Sequence, residues 1–201
     1  MAGLLTLFAP GCASVPPVVK IGFVGPFEGR YREIGYDAIY SARLAIRDEN
    51  SKDDLGDYRV ALVALDDFGD PETASEIARS LVGDPGVVAV VGHWLPETTD
   101  QSEFIYQSSG VQLIAAGRPP FGEMDPQLLP EEFVFRYDDI TPFEETAGPY
   151  AGAGYDAVGL VLKAIAEIDS QGKAINRENV SELLAILDYQ GITGEVYLPK
   201  P

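Results

Sequence analysis

Cysteine is nearly absent. The chain has 201 residues and one cysteine, Cys12, which excludes an internal disulfide framework and a zinc site built on thiolates. Histidine is as scarce, with His93 alone, and no G-x-S-x-G pattern occurs, so the common nucleophilic triads are excluded. Basic residues are few: 14 Lys and Arg against 32 Asp and Glu leave a net charge of −18. That field repels phosphate backbones and anionic lipid headgroups, which argues against nucleic-acid binding and direct adsorption to a membrane. Long apolar runs are missing as well, and no stretch reaches the ~18 residues needed to span a bilayer. There is no short-period repeat and no heptad array. Nothing in the pattern points to an enzyme or calls for a cofactor.

What is present suits one sizeable domain, since 46% of the residues are hydrophobic. Val18 to Val24 is β-branched and bounded by Gly25-Pro26, so it reads as a buried strand. From Tyr36 to Asn50, apolar residues at Ala38, Ile39, Ala42, Ala45 and Ile46 have the spacing of one helix face. Arg59 to Leu65 reads as a second strand. Asp70-Pro71 then starts a helix that runs to about Leu81, with Asp as N-cap and Pro at the first helical position. Val87 to Val91 is a third strand, Thr98 to Ser108 a third helix and Val111 to Ala115 a fourth strand. This alternation predicts βαβ units and a parallel sheet covered on both faces.

After the fourth strand the order breaks. Arg118 to Pro130 holds four of the 15 prolines and reads as a loop, Phe133 to Tyr137 as one short strand, and Asp138 to Pro149 as irregular chain. Helical order returns at Tyr150, with Tyr155, Val158, Leu162 and Ile165 as the buried stripe. Asn176 can cap a last helix through about Leu187, and Gly194 to Leu198 is a final short strand.

The first residues have a different character. Met1 to Pro10 is apolar and uncharged, and Gly11-Cys12-Ala13-Ser14 follows. A short apolar segment ending in small residues reads as the h-region of a signal peptide. With Cys12 directly after it, the segment resembles a bacterial lipobox, whose cysteine is lipidated. Ala9 stands where leucine is usual, and no Lys or Arg precedes the apolar run. The expectation is an exported protein, periplasmic or at the cell surface, that touches the membrane only through a lipid on Cys12. Residues 1–17 are then signal and linker, and residues 18–201 one α/β lobe.

Several segments of that lobe are familiar. Val19 to Pro26 followed by Gly29 resembles the opening of the leucine/isoleucine/valine-binding protein family, the type I periplasmic solute receptors of ABC transporters. Asp66-Asp67-Phe68-Gly69-Asp70-Pro71, Val90-Val91-Gly92-His93, Ile105-Tyr106 with Gly110-Val111, Tyr155-Asp156-Ala157-Val158 and Gln190 to Gly194 are similar to later segments of that family, in the same order. The resemblance implies a three-layer α/β fold with a mostly parallel, flavodoxin-like (Rossmann-like) sheet and helices on both faces. Family members have two lobes joined by crossovers, with ligand between them. Here residues 18–120 look like the first part of the first lobe and residues 150–201 like its late part. Residues 121–149 stand as an irregular crossover where the second lobe is expected, and Phe133-Val134-Phe135-Arg136 looks like the first crossing toward the hinge.

In an open parallel sheet, ligands sit at the carboxyl ends of the strands. Three such edges carry candidate ligand contacts. Gly25 to Tyr31 offers the apolar faces of Phe27 and Tyr31, without the G-x-G-x-x-G of a dinucleotide site. In Gly92 to Thr99, the resemblance implies hydroxyls and amides that hold an amino acid's carboxylate. Thr98 and Thr99 can do this, or can cap the helix. Glu97 repels a carboxylate or attracts an amine. Trp94 can stack on a ligand or finish the core, and His93 reads more readily as a structural turn contact than as a catalyst. At the third edge Gly117 is followed by Arg118 where relatives carry small or hydroxyl residues. Arg118 can clamp a carboxylate, or pair with Glu97 or Glu123. Asp66, Asp67, Asp70 and Glu72 form an acidic cluster without the spacing of a calcium loop, so no metal is expected.

The implied function is solute binding for a branched-chain amino-acid or amide-type ABC transporter, weakened because one lobe supplies one wall. Its partners are an amino-acid or amide-like small molecule, and an ABC permease, a second lobe or a second copy. A different class of reading is a non-catalytic interaction module that uses an exposed apolar face rimmed by Phe27, Tyr31, Trp94 and Phe121. A deletion remnant that folds without present activity is a third.

Overall fold

Strand β1, Val18–Gly25, lies at the centre of the molecule. Its alternation puts Ile21 and Phe23 on one face of the sheet and Val24 on the other, all fully buried. The computed structural model describes residues 16–52, 56, 58–142 and 145–198. The expected signal segment and Cys12 lie outside these. Around β1, strands β2 (Arg59–Asp66), β3 (Val87–Gly92) and β4 (Gln112–Ala115) form a four-stranded sheet in the order β2-β1-β3-β4. Every pairing in it is parallel. The register between β1 and β3 shifts between Lys20 and Ile21, which leaves Val88 as an extra residue. Val88 and Ala89 consequently face the same core.

Helices α1 (Arg32–Asn50), α2 (Pro71–Gly83) and α3 (Pro96–Ser108) make the crossovers. Asp70 caps α2 as the residue pattern predicts, its carboxylate accepting from Thr73 N at 2.8 Å. Helices α2 and α3 cover one face of the sheet, over Val24, Val87 and Val90. The other face is covered by α1 together with α5 (Ala151–Ser170) and α6 (Arg177–Leu184), which come from the end of the chain. Asn176 caps α6 by accepting from Asn179 N at 2.9 Å. A Cβ at Gly154 would lie 2.6 Å from Ala38 O and from Ser41 Oγ, so glycine is what lets α5 approach α1 this closely. One lobe thus joins two stretches of chain that lie far apart in sequence.

One expectation is corrected. Phe133 to Tyr137 is not a strand but part of helix α4 (Glu131–Ile140), which follows Pro130. Phe133 and Tyr137, four residues apart, are buried while Phe135 is 74% exposed, which is helical spacing rather than alternation across a sheet. The expected final strand is present and stands apart from the four-stranded sheet. Gly194–Val196 pairs antiparallel with Tyr189–Gly191 as an isolated hairpin of β6 and β5. Asp156 of α5 anchors the hairpin turn, accepting from Ile192 N at 2.9 Å and Thr193 N at 2.8 Å. Arg118 to Pro130 is loop as expected, apart from one 3-10 turn at Pro126–Leu128.

Burial raises the carboxyl pKa of Asp156, against the pull of its hydrogen bonds from Thr193 and Ile192. Burial likewise raises Asp37 of α1, which accepts from Gly148 N and Tyr150 N. Between the ordinary value of 3.8 and the raised folded one, the folded chain holds protons that the unfolded chain has lost. These groups therefore stabilise the fold more as pH falls through that window. The relief of a net charge of −18 acts in the same direction. The chain is expected to resist urea less well as pH rises through that window. Asp156→Asn should shrink that loss, and urea melts at a series of pH values upward from the ordinary carboxyl value check both statements.

Candidate functional site

The connections after β1 and β3, neighbouring strands at the centre of the sheet, leave in opposite directions. The crevice between their carboxyl ends is the switch point where open α/β sheets hold ligands. Three turns converge on it. Strand β1 ends at Gly25, β3 at Gly92, and the turn after β4 carries Gly117. The floor of the crevice is filled by Trp94, which is 3% exposed. Its indole lies so close to Gly25 that a Cβ there would be 2.8 Å from Cδ1. Phe23 packs below it and the Tyr150 ring meets it edge-on, with centroids 6.1 and 5.9 Å away. The indole N–H is buried without a hydrogen-bond partner among the described residues. Such an orphaned donor is destabilising by about 1–3 kcal/mol.

Other predicted contacts have mixed placements. Phe27 and Tyr31 are half-buried at the rim, and Asp66 holds the Phe27 loop by accepting from Phe27 N at 2.9 Å. His93 is fully buried and makes the structural contact its position suggests: Nδ1 lies 2.7 Å from Asp67 Oδ2 and Nε2 lies 3.2 Å from the Tyr106 hydroxyl. Burial, with the charge of Asp67, pushes the Tyr106 phenol up. Thr98 and Thr99 are fully buried inside α3 and do not cap it. The N-cap is Leu95, and both threonine hydroxyls donate to its carbonyl, Thr99 also to His93 O. The reason is Pro96, which starts the helix two residues earlier than the residue pattern suggests. Glu97 is exposed on the first turn, and Gly117 lies at φ +78° against the Trp94 carbonyl. Arg118 pairs with Asp100 at 2.7 Å, not with Glu97 or Glu123.

The acidic cluster is engaged in holding loops. Asp66 also accepts from Phe68 N, Asp67 from Gly69 N, and Asp70 from Thr73. No group of three or more metal-ligating side chains converges among the described residues. The expected apolar face is smaller than its sequence suggests, because Trp94 and Phe121 are buried. What remains at the rim is Phe27, Tyr31 and Phe68, the last 55% exposed.

Beside this edge opens a cleft of about 860 Å³, which the residue pattern did not reveal. It lies between the first turns of α1 and the connection from α4 to α5. Arg30, Tyr31, Tyr36, Tyr40, Tyr137 and Tyr150 line it. Tyr36 and Tyr40 stack with centroids 6.3 Å apart, and Tyr137 meets Tyr40 edge-on at 6.5 Å. Four of these six residues lie on α1 or its approach, but Tyr137 and Tyr150 join them only through the tertiary fold.

The chain is thus an α/β lobe with a parallel four-stranded sheet and three glycine-bearing turns at its carboxyl edge. The model of the periplasmic binding protein family matches residues 18–123, and the chain belongs to that family, one of solute-binding receptors and not of enzymes. It is similar to the leucine-specific-binding protein of Salmonella typhimurium, with 30% identity over 165 residues, covering 82% of this chain and 41% of that protein. The amino acid binding protein of Pseudomonas aeruginosa is 30% identical over 190 residues, which is 87% of this chain and 47% of that one. The chain thus spans less than half the length of these curated relatives. Among solved structures, a branched-chain amino acid transporter substrate-binding protein from Streptococcus pneumoniae, in complex with isoleucine, shares the fold. Its TM-score is 0.72 at 14% identity, over 90% of this chain and 92% of that one. A leucine binding protein from Thermotoga maritima gives 0.70 at 13%, over 90% and 91%.

Proposed function

We propose that the chain is an extracytoplasmic solute-binding protein of a branched-chain amino-acid or amide-type ABC transporter, working with the single lobe described here. The observation that carries this reading is the convergence of the three turns at Gly25, Gly92 and Gly117 on one crevice at the switch point. The family supports it, since its curated relatives are named for leucine and for amino acids. Residues 18–120 and 150–201 build the lobe, and residues 121–149 bridge them with α4. Phe27, Tyr31, Gly117 and Arg118 reach the rim, with Glu97 on the neighbouring helix turn. In this reading the protein is exported and held at the membrane by a lipid on Cys12, a proposal that rests on the residue pattern around that cysteine.

One wall buries about half of a small ligand, so binding is weak, with a Kd no tighter than about 1 mM. A thermal-shift titration with L-leucine and other amino acids tests this. At about 10 mM ligand and that Kd, mass action raises the melting temperature by about 3–6 °C. A flat response from a cooperatively melting chain would sink the reading, and a micromolar Kd by calorimetry would sink its single-wall premise.

The exposed Phe68 beside Phe27 and Tyr31 favours a second reading, in which this rim docks a permease, a separate second lobe or another copy. A strictly monomeric chain at high concentration, with no retention by a permease, speaks against it.

A further inference from the structure

We infer that the tyrosine cleft beside the sheet edge is a binding site of its own, for a small zwitterion with a flat ring, that is, an aromatic amino acid. The inference rests on the solute-binding reading above and adds to it a second site beside the crevice. At the switch point Trp94 and the Tyr150 edge already occupy the floor of the crevice. The roomiest concavity is displaced to the α1 side, and its volume falls within the 300–1,000 Å³ of small-molecule sites.

The chemistry of its lining sets the class of ligand. The stacked pair Tyr36 and Tyr40, backed edge-on by the buried Tyr137, presents aromatic faces that attract another ring in offset or edge geometry. Both signs of charge stand around it. Arg30 and Arg32 are exposed, line the cleft and form no ion pair among the described residues, in a chain where acids outnumber bases more than twofold. Helices α1 and α5 run side by side in the same direction, for Gly154 meets Ala38 near their starts and Asp169 meets Gly56 near their ends. The N-terminus of α1 opens toward the cleft and favours a carboxylate, whereas the approach to α5 is already taken by Asp37. Asp37 is engaged with Gly148 N, Tyr150 N and the Tyr137 hydroxyl, so it holds the lead-in to α5 and is not a free anion. Glu33 and Glu145, exposed on the lining, are the carboxylates left for an ammonium group. A simple anion or a simple cation would meet like charge on one side; a zwitterion meets opposite charge on both.

The test is equilibrium dialysis of the full chain against labelled L-phenylalanine and, separately, L-leucine, with Trp94 emission read in parallel. L-phenylalanine is expected to be retained more strongly than L-leucine and to change the emission, because Tyr150 joins the cleft to Trp94. Arg32→Gln and Tyr36→Ser are both at exposed positions, so the fold should keep its melting temperature. Each should weaken L-phenylalanine retention about fivefold, as expected for one ionic contact or one ring contact. Retention insensitive to both variants, or no retention of L-phenylalanine, overturns the inference. If L-leucine alone is retained, the solute-binding reading survives and the aromatic site does not. If neither is retained, both fall.

Discussion

Gly92→Ala is expected to lower the melting temperature by about 10 °C or more. Gly92 ends β3 at φ +134°, a region that side chains rarely enter. A Cβ there would lie 2.2 Å from Val24 O and 3.0 Å from Val24 C. Those atoms belong to β1, which is paired on both sides, so they cannot retreat without breaking two ladders. Backbone strain of this kind is worth about 1–3 kcal/mol, and the displaced strand adds to it. The sum is a large part of the 5–15 kcal/mol typical of a domain. The control is Gly83→Ala at the end of α2, where nothing lies within 4 Å of the added carbon. It should be neutral or stabilising by up to about 1 kcal/mol. Thermal melts of the two variants check the contrast, and a Gly92→Ala chain that melts within 2–3 °C of the parent, roughly 1 kcal/mol, would refute it.

Asp67→Ala should destabilise by about 3–5 kcal/mol, the range for breaking one side of a buried charge-bearing pair. Asp67, His93 and Tyr106 are a chain of contacts with no exposed side chain among them. Removing the carboxylate orphans His93 Nδ1 and also Gly69 N, which now bonds Asp67 Oδ1 at 2.9 Å. Gly69 belongs to the turn that carries Phe68 at φ +54°, so the rim of the binding edge should loosen as well. Asp67→Asn keeps the shape and one acceptor and should lose about half as much. Combining Asp67→Ala with His93→Leu should recover part of the loss, because the second change removes the orphaned ring. Urea melts of the three chains measure the coupling. A loss under about 1 kcal/mol for Asp67→Ala would mean that water replaces the carboxylate and that the contact is incidental.

The parts of the fold that were legible in the sequence are those fixed by short-range chemistry. Asp70-Pro71 and Asn176 announce helix starts because a side-chain acceptor and a fixed φ act within three residues. The β-branched runs of β1 to β3 are legible because a sheet covered on both faces needs continuous apolar strands. Helix α4 was misread because Phe133-Val134-Phe135 is a short aromatic and β-branched run of the kind strands favour. Only the burial of Phe133 with Tyr137 against α1 separates the two readings, and that is a tertiary fact. Strand β5 is three residues long and held by Asp156 from another element, so no local signal marks it. At the site, the turn position of His93 suggests a structural contact, whereas the sequence leaves Trp94 open between stacking on a ligand and finishing the core, and only its burial shows where it packs. The ion pair of Arg118 with Asp100 was missed, since it depends on where α3 points. The tyrosine cleft was also missed, although Tyr36 and Tyr40 stand four apart on a predicted helix, because its other wall arrives about 100 residues later.

The pairing of α1 with α5 also dictates an order of assembly during synthesis. Once β4 has been made, the sheet has all four strands but one of its faces is covered by α1 alone. Ala38, Ala42 and Ala45 await Ala153, Ala157 and Val161 in the same core. Roughly 70 residues separate the end of β4 from the end of α6, which at ordinary translation rates is about 4–14 s. Through that interval the nascent chain exposes a flat apolar surface with no partner of its own. A holding chaperone has its substrate there, and a ribosome stalled between residues 115 and 150 would release a sticky half-lobe.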